Sequence, residues 1–405
     1  MADRNPQLRD SVLLARRATM RVDLNLVNEL ATRPWPDAVR YLIDAPPNAA
    51  TAGLSAETDD TVTWWTQQIT APGSGLHERM TFFWHNLLTT HRYALGKGQY
   101  VALQLNFLRA NALGNFRTLL QGFVVDGALI RYLSADANSV EQPNENLARE
   151  LMELFTVGIG HYGEGDVRAA ARAMTGWRLD EDNVAVSFDP VRANSEPVTY
   201  LGETKNWDLA SIVDRLCDHP ATATRIAARL WYHLVGTEIV DDRAGELGYW
   251  WQTQNLEIKP LIERILNDPE LRANHYVRPR SGFEFYTALQ AITDFDPSET
   301  WRPRLLGQGL YEPPNVAGWP SGDRWLNPDS MLRRSGMVFS FDLANMEGGN
   351  TAGVDEILDR CGLFMVSQAT IDAIDNAGAD ASLDEGSIAQ LRWRIAMSSP
   401  EFQLI

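Results

Sequence analysis

The sequence contains only two cysteines, Cys217 and Cys361, far apart and without a CxxC pair, so neither a thiolate zinc site nor a disulfide framework is supported. No apolar run approaches the roughly 18 residues of a membrane-spanning helix. The opening stretch MADRNPQLRDSVLLARRATM has a short apolar run at 12–15, flanked by Arg9, Asp10, Arg16 and Arg17. That is too brief for the core of a secretory signal, and a cytoplasmic location is expected. Also missing are a GxGxxG after a strand, GxxxxGK[ST], GxSxG and HExxH. Dinucleotide-binding, P-loop, ordinary α/β-hydrolase and zincin readings lose their main support with them. Basic charge is in deficit as well: 36 Lys and Arg face 53 Asp and Glu, a formal net charge of −17. The resulting field repels polyanions, so no nucleic-acid partner is expected.

What is there is globular composition, with 44% hydrophobic and 22% charged residues in 405. The expected architecture is all-α: a single large helical domain over 1–405, with halves 7–160 and 161–405 that do not fold independently. Helical periodicity covers two segments of 7–46 before the Pro34-Trp35-Pro36 break, then 37–43, 60–68, 77–90, 98–111, 114–124, 126–132, 145–157 and 165–176. It resumes at 207–218, 220–235, 244–252, 259–267 and 281–293. Gly127, Gly158 and Gly176 fall near boundaries, as left-handed caps do. The stretch 46–57 reads as a loop, 181–206 as a loop or short β-hairpin, and 311–329 as a long ordered Pro/Trp-rich loop.

Three stretches carry chemistry. In HERMTFFWHNLLTTH (77–91), Glu78, Phe82, His85 and Thr89 fall within ~60° on a helical wheel, with Asn86 at the edge. This stack is a buried polar network, a substrate site, or part of a metal site with Glu78 and His85 as ligands. The ExxH spacing of di-iron bundles is absent. In PNENLARELMELFTVGIG (143–160), Asn146, Glu150 and Glu153 lie at i, i+4 and i+7 beside an apolar face. Two carboxylates one turn apart can divide into a proton-bearing acid and an ionised base. The alternative is salt bridging to arginines such as Arg168 and Arg172 of the next helix. In EPPNVAGWPSGDRWLNP (312–328), Trp319 and Trp325 stand among Asn315, Asp323, Arg324 and Asn327, a composition that suits a ring-binding cleft and equally a loop plugged into the core by its indoles.

FFWHN (82–86), ALGNFR (112–117), PNENLARELMELFTVGIG (143–160), DVRAAARAMTGW (166–177), PPNVAGWP (313–320) and SSPEF (398–402) occur together in one chain. On these residues it resembles the bacterial domain-of-unknown-function family 1800, from about Ser11 to the C-terminus. The resemblance implies a helical protein without a settled activity, often encoded beside a sulfatase-like partner, and hence an anionic or glycan-like substrate or a two-protein complex. One departure stands out. Where relatives show a His-Asp pair before an FLG-like turn, this chain has Val191, Arg192, Ala193, Asn194 and Ser195 ahead of Tyr200-Leu201-Gly202, and Ser134 replaces an Asp after Tyr-Leu.

The leading expectation is a carboxylate-based hydrolase acting on a glycan-like or other polar substrate, in a cleft between 77–91 and 143–177 covered by 312–328. Glu150 and Glu153 serve as acid and base, with His85 orienting substrate or water. Asn86, Asn146, Arg149, Arg168, Arg172, Trp177, Asn315, Trp319 and Trp325 are the substrate-binding candidates. One alternative is an iron, copper or manganese oxidoreductase in which Glu78, His85 and Glu150 or Glu153 converge. The other is a non-enzymatic partner of the sulfatase-like neighbour.

Overall fold

The computed structural model describes residues 5–47, 57–379 and 382–405, with the backbone of Ala2 and Asp3. Most of the expected 46–57 loop lies outside the described residues. The protein is predominantly helical, 61% by residue. The described strands are short antiparallel pairs: Ala2–Asp3 with Met365–Val366, Trp177–Asp180 with Ala185–Phe188, and Val198–Tyr200 with Glu203–Lys205. No helix among the described residues is long and apolar enough to cross a membrane.

The Pro220–Val235 helix shows why such segments fold as they do. Pro220 opens it behind the His219 cap, whose Nδ1 accepts from the Ala221 N–H at 3.2 Å. Ala223, Ile226, Ala227, Leu230, Trp231 and Leu234 form its buried stripe, and Gly236 ends it in left-handed backbone. The Asp241–Thr253 helix lies unusually close along it, because Gly248 has no side chain. A Cβ there would sit 2.5 Å from the Thr224 nitrogen.

Two apolar cores interleave along the chain. One gathers Leu14, Trp84, Phe116, Leu151, Ile226 and Ile262; the other gathers Trp65, Tyr100, Phe283, Leu289, Met337 and Trp393. Neither is confined to one side of residue 160. The Leu76–Leu87 helix feeds both, with Met80, Phe83, Trp84 and Leu87 in the first and Phe82 in the second. Its residues therefore stand at the seam where a cleft opens.

Several boundaries differ from the periodicity. The helix expected over 77–90 stops at Leu87, because Leu88 turns to φ −105°, ψ 68° and Thr89 Oγ1 donates to the Val316 carbonyl at 2.7 Å. The expected 145–157 helix is α-helical only over Asn146–Glu150 and widens to a π-helix over Leu151–Phe155. Thr156 Oγ1 and the Gly158 N–H reach back to the Leu151 and Met152 carbonyls at 2.6 and 2.8 Å, completing that wide turn. The insertion expected at 181–206 is two hairpins, and the first begins at Trp177. Gly158 and Gly176 have positive φ, whereas Gly127 follows the Asp126 cap and opens a helix.

Candidate functional site

A cleft of about 320 Å³ opens at the seam. One wall is the last turns of the Leu76–Leu87 helix, with Phe82, Phe83 and Asn86. The opposite wall is the Pro220–Val235 helix, presenting Arg225, Arg229, Tyr232 and His233. Arg278, Ser281, Glu284 and Gln308 also line it, and Trp319, Ser321 and Trp325 close it from the long loop. Aromatic surface with a few convergent polar groups is the usual make-up of a small-molecule site.

The loop is held in place by specific bonds. The Tyr311 N–H donates to His85 Nε2 at 3.0 Å, and the Arg92 N–H donates to the Tyr311 carbonyl at 2.8 Å. Gly318 passes so close to the Leu76–Leu87 helix that a Cβ would lie 2.5 Å from the Asn86 carbonyl oxygen. Trp325 is buried, and its Nε1 donates to the Pro320 carbonyl at 2.7 Å. Trp319 is half-buried and stacks on His85 at 5.0 Å between ring centroids. The two indoles thus divide the roles left open by the sequence: Trp325 anchors the loop in the interior, and Trp319 forms cleft wall.

Charge in the cleft is of two kinds. Glu284 is locked: Arg278 donates from Nη1 and Nη2 at 2.9 and 2.6 Å, Arg79 Nη1 at 2.5 Å, and the Ser281 N–H at 2.8 Å. Burial works to raise its pKa, but Arg278 and Arg79 override that and hold it well below the usual carboxylate range. Arg225 and Arg229 are different, because neither has a carboxylate within ion-pair distance among the described residues. Arg225 Nη1 donates to two carbonyls, Leu154 at 2.6 Å and Thr156 at 3.2 Å. Burial and then Arg229 lower its pKa to about 10, with Glu153 opposing them. Arg229 stays open to solvent although protein crowds it, the condition of a side chain on a cleft wall. Glu238, also exposed in the lining, is the carboxylate there that no arginine holds.

Residues 5–404 match the family described as a protein of unknown function, DUF1800. The chain belongs to the DUF1800 family. No curated protein and no solved structure matches it significantly. In this DUF1800 member the 191–195 stretch is largely exposed and is tied through Asn194 to the Glu164–Ala173 helix and the residues just after it. Arg172 Nε donates to Asn194 Oδ1 at 2.8 Å, and the Asn194 N–H donates to Thr175 Oγ1 at 2.8 Å. Asn194 therefore joins the connection between the two hairpins to that helix.

Of the residues singled out in the sequence, Asn86, Trp319 and Trp325 line the cleft. His85 sits just behind Trp319, buried, its Nε2 accepting and its proton therefore on Nδ1. Burial pushes its pKa down to about 3, against a smaller opposing effect of Asn86, so the ring is neutral. Glu78, two turns earlier on the same helix, is buried and bonded by Arg109 Nε at 3.0 Å and Trp65 Nε1 at 3.0 Å. With those donor atoms taken, the expected convergence of Glu78, His85 and Glu150 or Glu153 is not formed. Among the described residues no group of three or more His, Cys, Asp and Glu side chains is arranged to hold a metal ion.

The 143–177 segment does not line the cleft; the Pro220–Val235 helix takes the place expected for it. Arg149 bridges Glu145 at 2.9 Å and Glu164 at 2.8 Å. Glu153 accepts from the Tyr162 hydroxyl at 3.2 Å, and Glu150 has its pKa raised by partial burial and then by Glu153. Asn146 and Arg168 are exposed, Trp177 packs on Phe188 at 5.4 Å, and the exposed Asn315 turns its Oδ1 to the Ala317 N–H. Sequence reasoning missed Arg225, Arg229 and Tyr232. Their i, i+4, i+7 spacing on one helix was a readable signal, masked by the apolar stripe on the opposite face.

Proposed function

We propose that this DUF1800 protein is a hydrolase of a polar, ring-bearing substrate of the glycan kind, held in the cleft between the Leu76–Leu87 and Pro220–Val235 helices. One observation carries the reading: a ring-sized space in which Phe82, Phe83 and Trp319 offer aromatic faces while Asn86, Tyr232, Ser321 and Gln308 stand around them. A sugar ring has apolar C–H faces and a polar rim, which such walls match. Gln308 has its Oε1 taken by the Phe283 N–H at 2.8 Å, leaving its amide N–H groups as donors. Hydrolysis needs a group to move a proton, and Glu238 is the lining carboxylate free to do so, since Glu284 is committed to Arg79 and Arg278.

A second reading keeps the acid and base on Glu150 and Glu153. It is favoured by the raised pKa of Glu150 and by the π-helical turn that carries Glu153, a kind of distortion frequent at functional sites. Arg225 links this ledge to the cleft through its bonds to Leu154 and Thr156. The test is tryptophan fluorescence and turnover with a panel of aryl glycosides. Trp319→Ala is expected to weaken binding about tenfold or more, and Glu238→Gln to abolish turnover with binding retained. Loss of turnover in Glu150→Gln, with Glu238→Gln active, selects the second reading. No binding by any member of the panel overturns the glycan assignment.

A further inference from the structure

We infer that Arg225 and Arg229 form a subsite for a tetrahedral oxyanion, so that the ring compound bound in the cleft carries a sulfate or phosphate ester. The inference rests on the cleft being a substrate site and names the chemical group its substrate bears. The two arginines are four residues apart on the Pro220–Val235 helix, hence neighbours on one face, and both line the cleft. Arg225 spends Nη1 on two backbone carbonyls, and Arg229 has no bond to any described side chain. The wall behind them adds positive charge. Arg278, in the lining, and the fully buried Arg17 and Arg79 surround a single carboxylate, Glu284. All this stands in a chain of net charge −17.

Like charges packed together in a partly dry cleft destabilise the empty protein, and an anion removes that cost. The group must reach two guanidinium forks at once. A carboxylate has two oxygens and is satisfied by one fork, whereas a sulfate or phosphate ester has three terminal oxygens and can bridge both. The opposing charges are Glu238, the lining carboxylate that no arginine holds, and Glu153, which acts on Arg225 from outside the cleft. Arg225 and Arg229 stand on the middle turns of the Pro220–Val235 helix and Glu238 follows its Gly236 end, so an anion seated on the arginines leaves Glu238 to the ring.

The test uses inorganic sulfate and inorganic phosphate, at constant ionic strength, followed by calorimetry and by the melting temperature of the full chain. Both anions are expected to bind and raise Tm, with acetate at least tenfold weaker. Arg229→Gln is expected to lose at least tenfold in sulfate affinity, while its Tm without anion is equal to or above that of the wild type, because Arg225 loses a repelling neighbour. Arg229→Lys, which keeps charge but not the fork, falls between. Glucose, glucose 6-sulfate and glucose 6-phosphate then separate the two sources of the group, the tighter ester naming it. Sulfate affinity unchanged by Arg229→Gln, or acetate binding as tightly as sulfate, overturns the subsite. Arg229-dependent sulfate binding with no response of Trp319→Ala to any ring compound upholds the subsite and removes the glycan reading instead.

Discussion

The 143–177 segment and the cleft both crowd carboxylates against arginines, yet they dispose of the charge differently. On the segment, Arg149 is paired with half-buried Glu145 and exposed Glu164, residues within fifteen positions of it. In the cleft, buried Glu284 is held by Arg278, six residues before it, and by Arg79, 205 residues away, while Arg225 and Arg229 have no carboxylate within ion-pair distance among the described residues. Local pairs of exposed charge are worth little, because water and salt screen them. Enclosed charge is worth a great deal once one partner is removed, and uncompensated charge on a cleft wall is available to a ligand. A cluster rich in titratable groups is therefore a weaker guide to function than a cluster whose charges do not balance.

The largest effect that would break this contrast is on Glu284. Glu284→Gln leaves Arg79 and Arg278 buried without their counter-charge, and about 3–5 kcal/mol of stability is expected to be lost, read from urea denaturation midpoints. A loss below 1 kcal/mol would mean that the site is wetter than its geometry shows. Next comes His85, at the back of the cleft wall. Its folded pKa of about 3 lies below the unfolded value near 6.5, so the unfolded chain takes up the proton first. Stability is expected to fall as pH drops from 6.5 toward 3, by at most on the order of 4 kcal/mol. His85→Gln, which keeps an acceptor for the Tyr311 N–H, should flatten that slope.

Asp126 runs the other way. Burial lifts its pKa to about 6, against the hydrogen bonds from Gln104, Leu129 and Ala128. Its folded pKa is above the unfolded one, so the cost of its charge is fully present above pH 6 and disappears as pH falls toward 3.8. All three donors bond Oδ1, which an asparagine retains. Asp126→Asn is expected to stabilise at pH 8 by about 1–3 kcal/mol and to have no such effect near pH 4, checked by thermal melts at both values. The smallest effect belongs to the exposed segment. Arg149→Gln should shift Tm by no more than about 2 °C, and less in 1 M salt.

The helical class, most element positions up to residue 293 and the irregular stretch at 311–321 were legible in the sequence, because apolar periodicity and Pro/Gly punctuation act over a few residues; the rest of the expected 311–329 loop coils into a 3-10 turn at Gly322–Leu326 and opens the Pro328–Phe339 helix. Trp319 and Asn86 stood out for the same kind of reason: a loop dense in rings, and polar groups on an apolar helix. The widening at Leu151–Phe155 was not legible, since it depends on Thr156 and Gly158 bonding back across the turn. Nor was the partner of the Leu76–Leu87 helix. The segment with the more conspicuous motif was expected there, and the Pro220–Val235 helix occupies the place.

What the sequence determined by itself is the helical class, most helices up to residue 293 with their buried stripes, and the family. Which charges find partners was decided only by the tertiary structure. Glu284 meets Arg79 from some 205 residues away in the chain, while among the described residues Arg225 and Arg229 have no carboxylate within ion-pair distance. Periodicity is a property of neighbours along the backbone. Charge balance inside a cleft is a property of neighbours in space, and no local pattern encodes it.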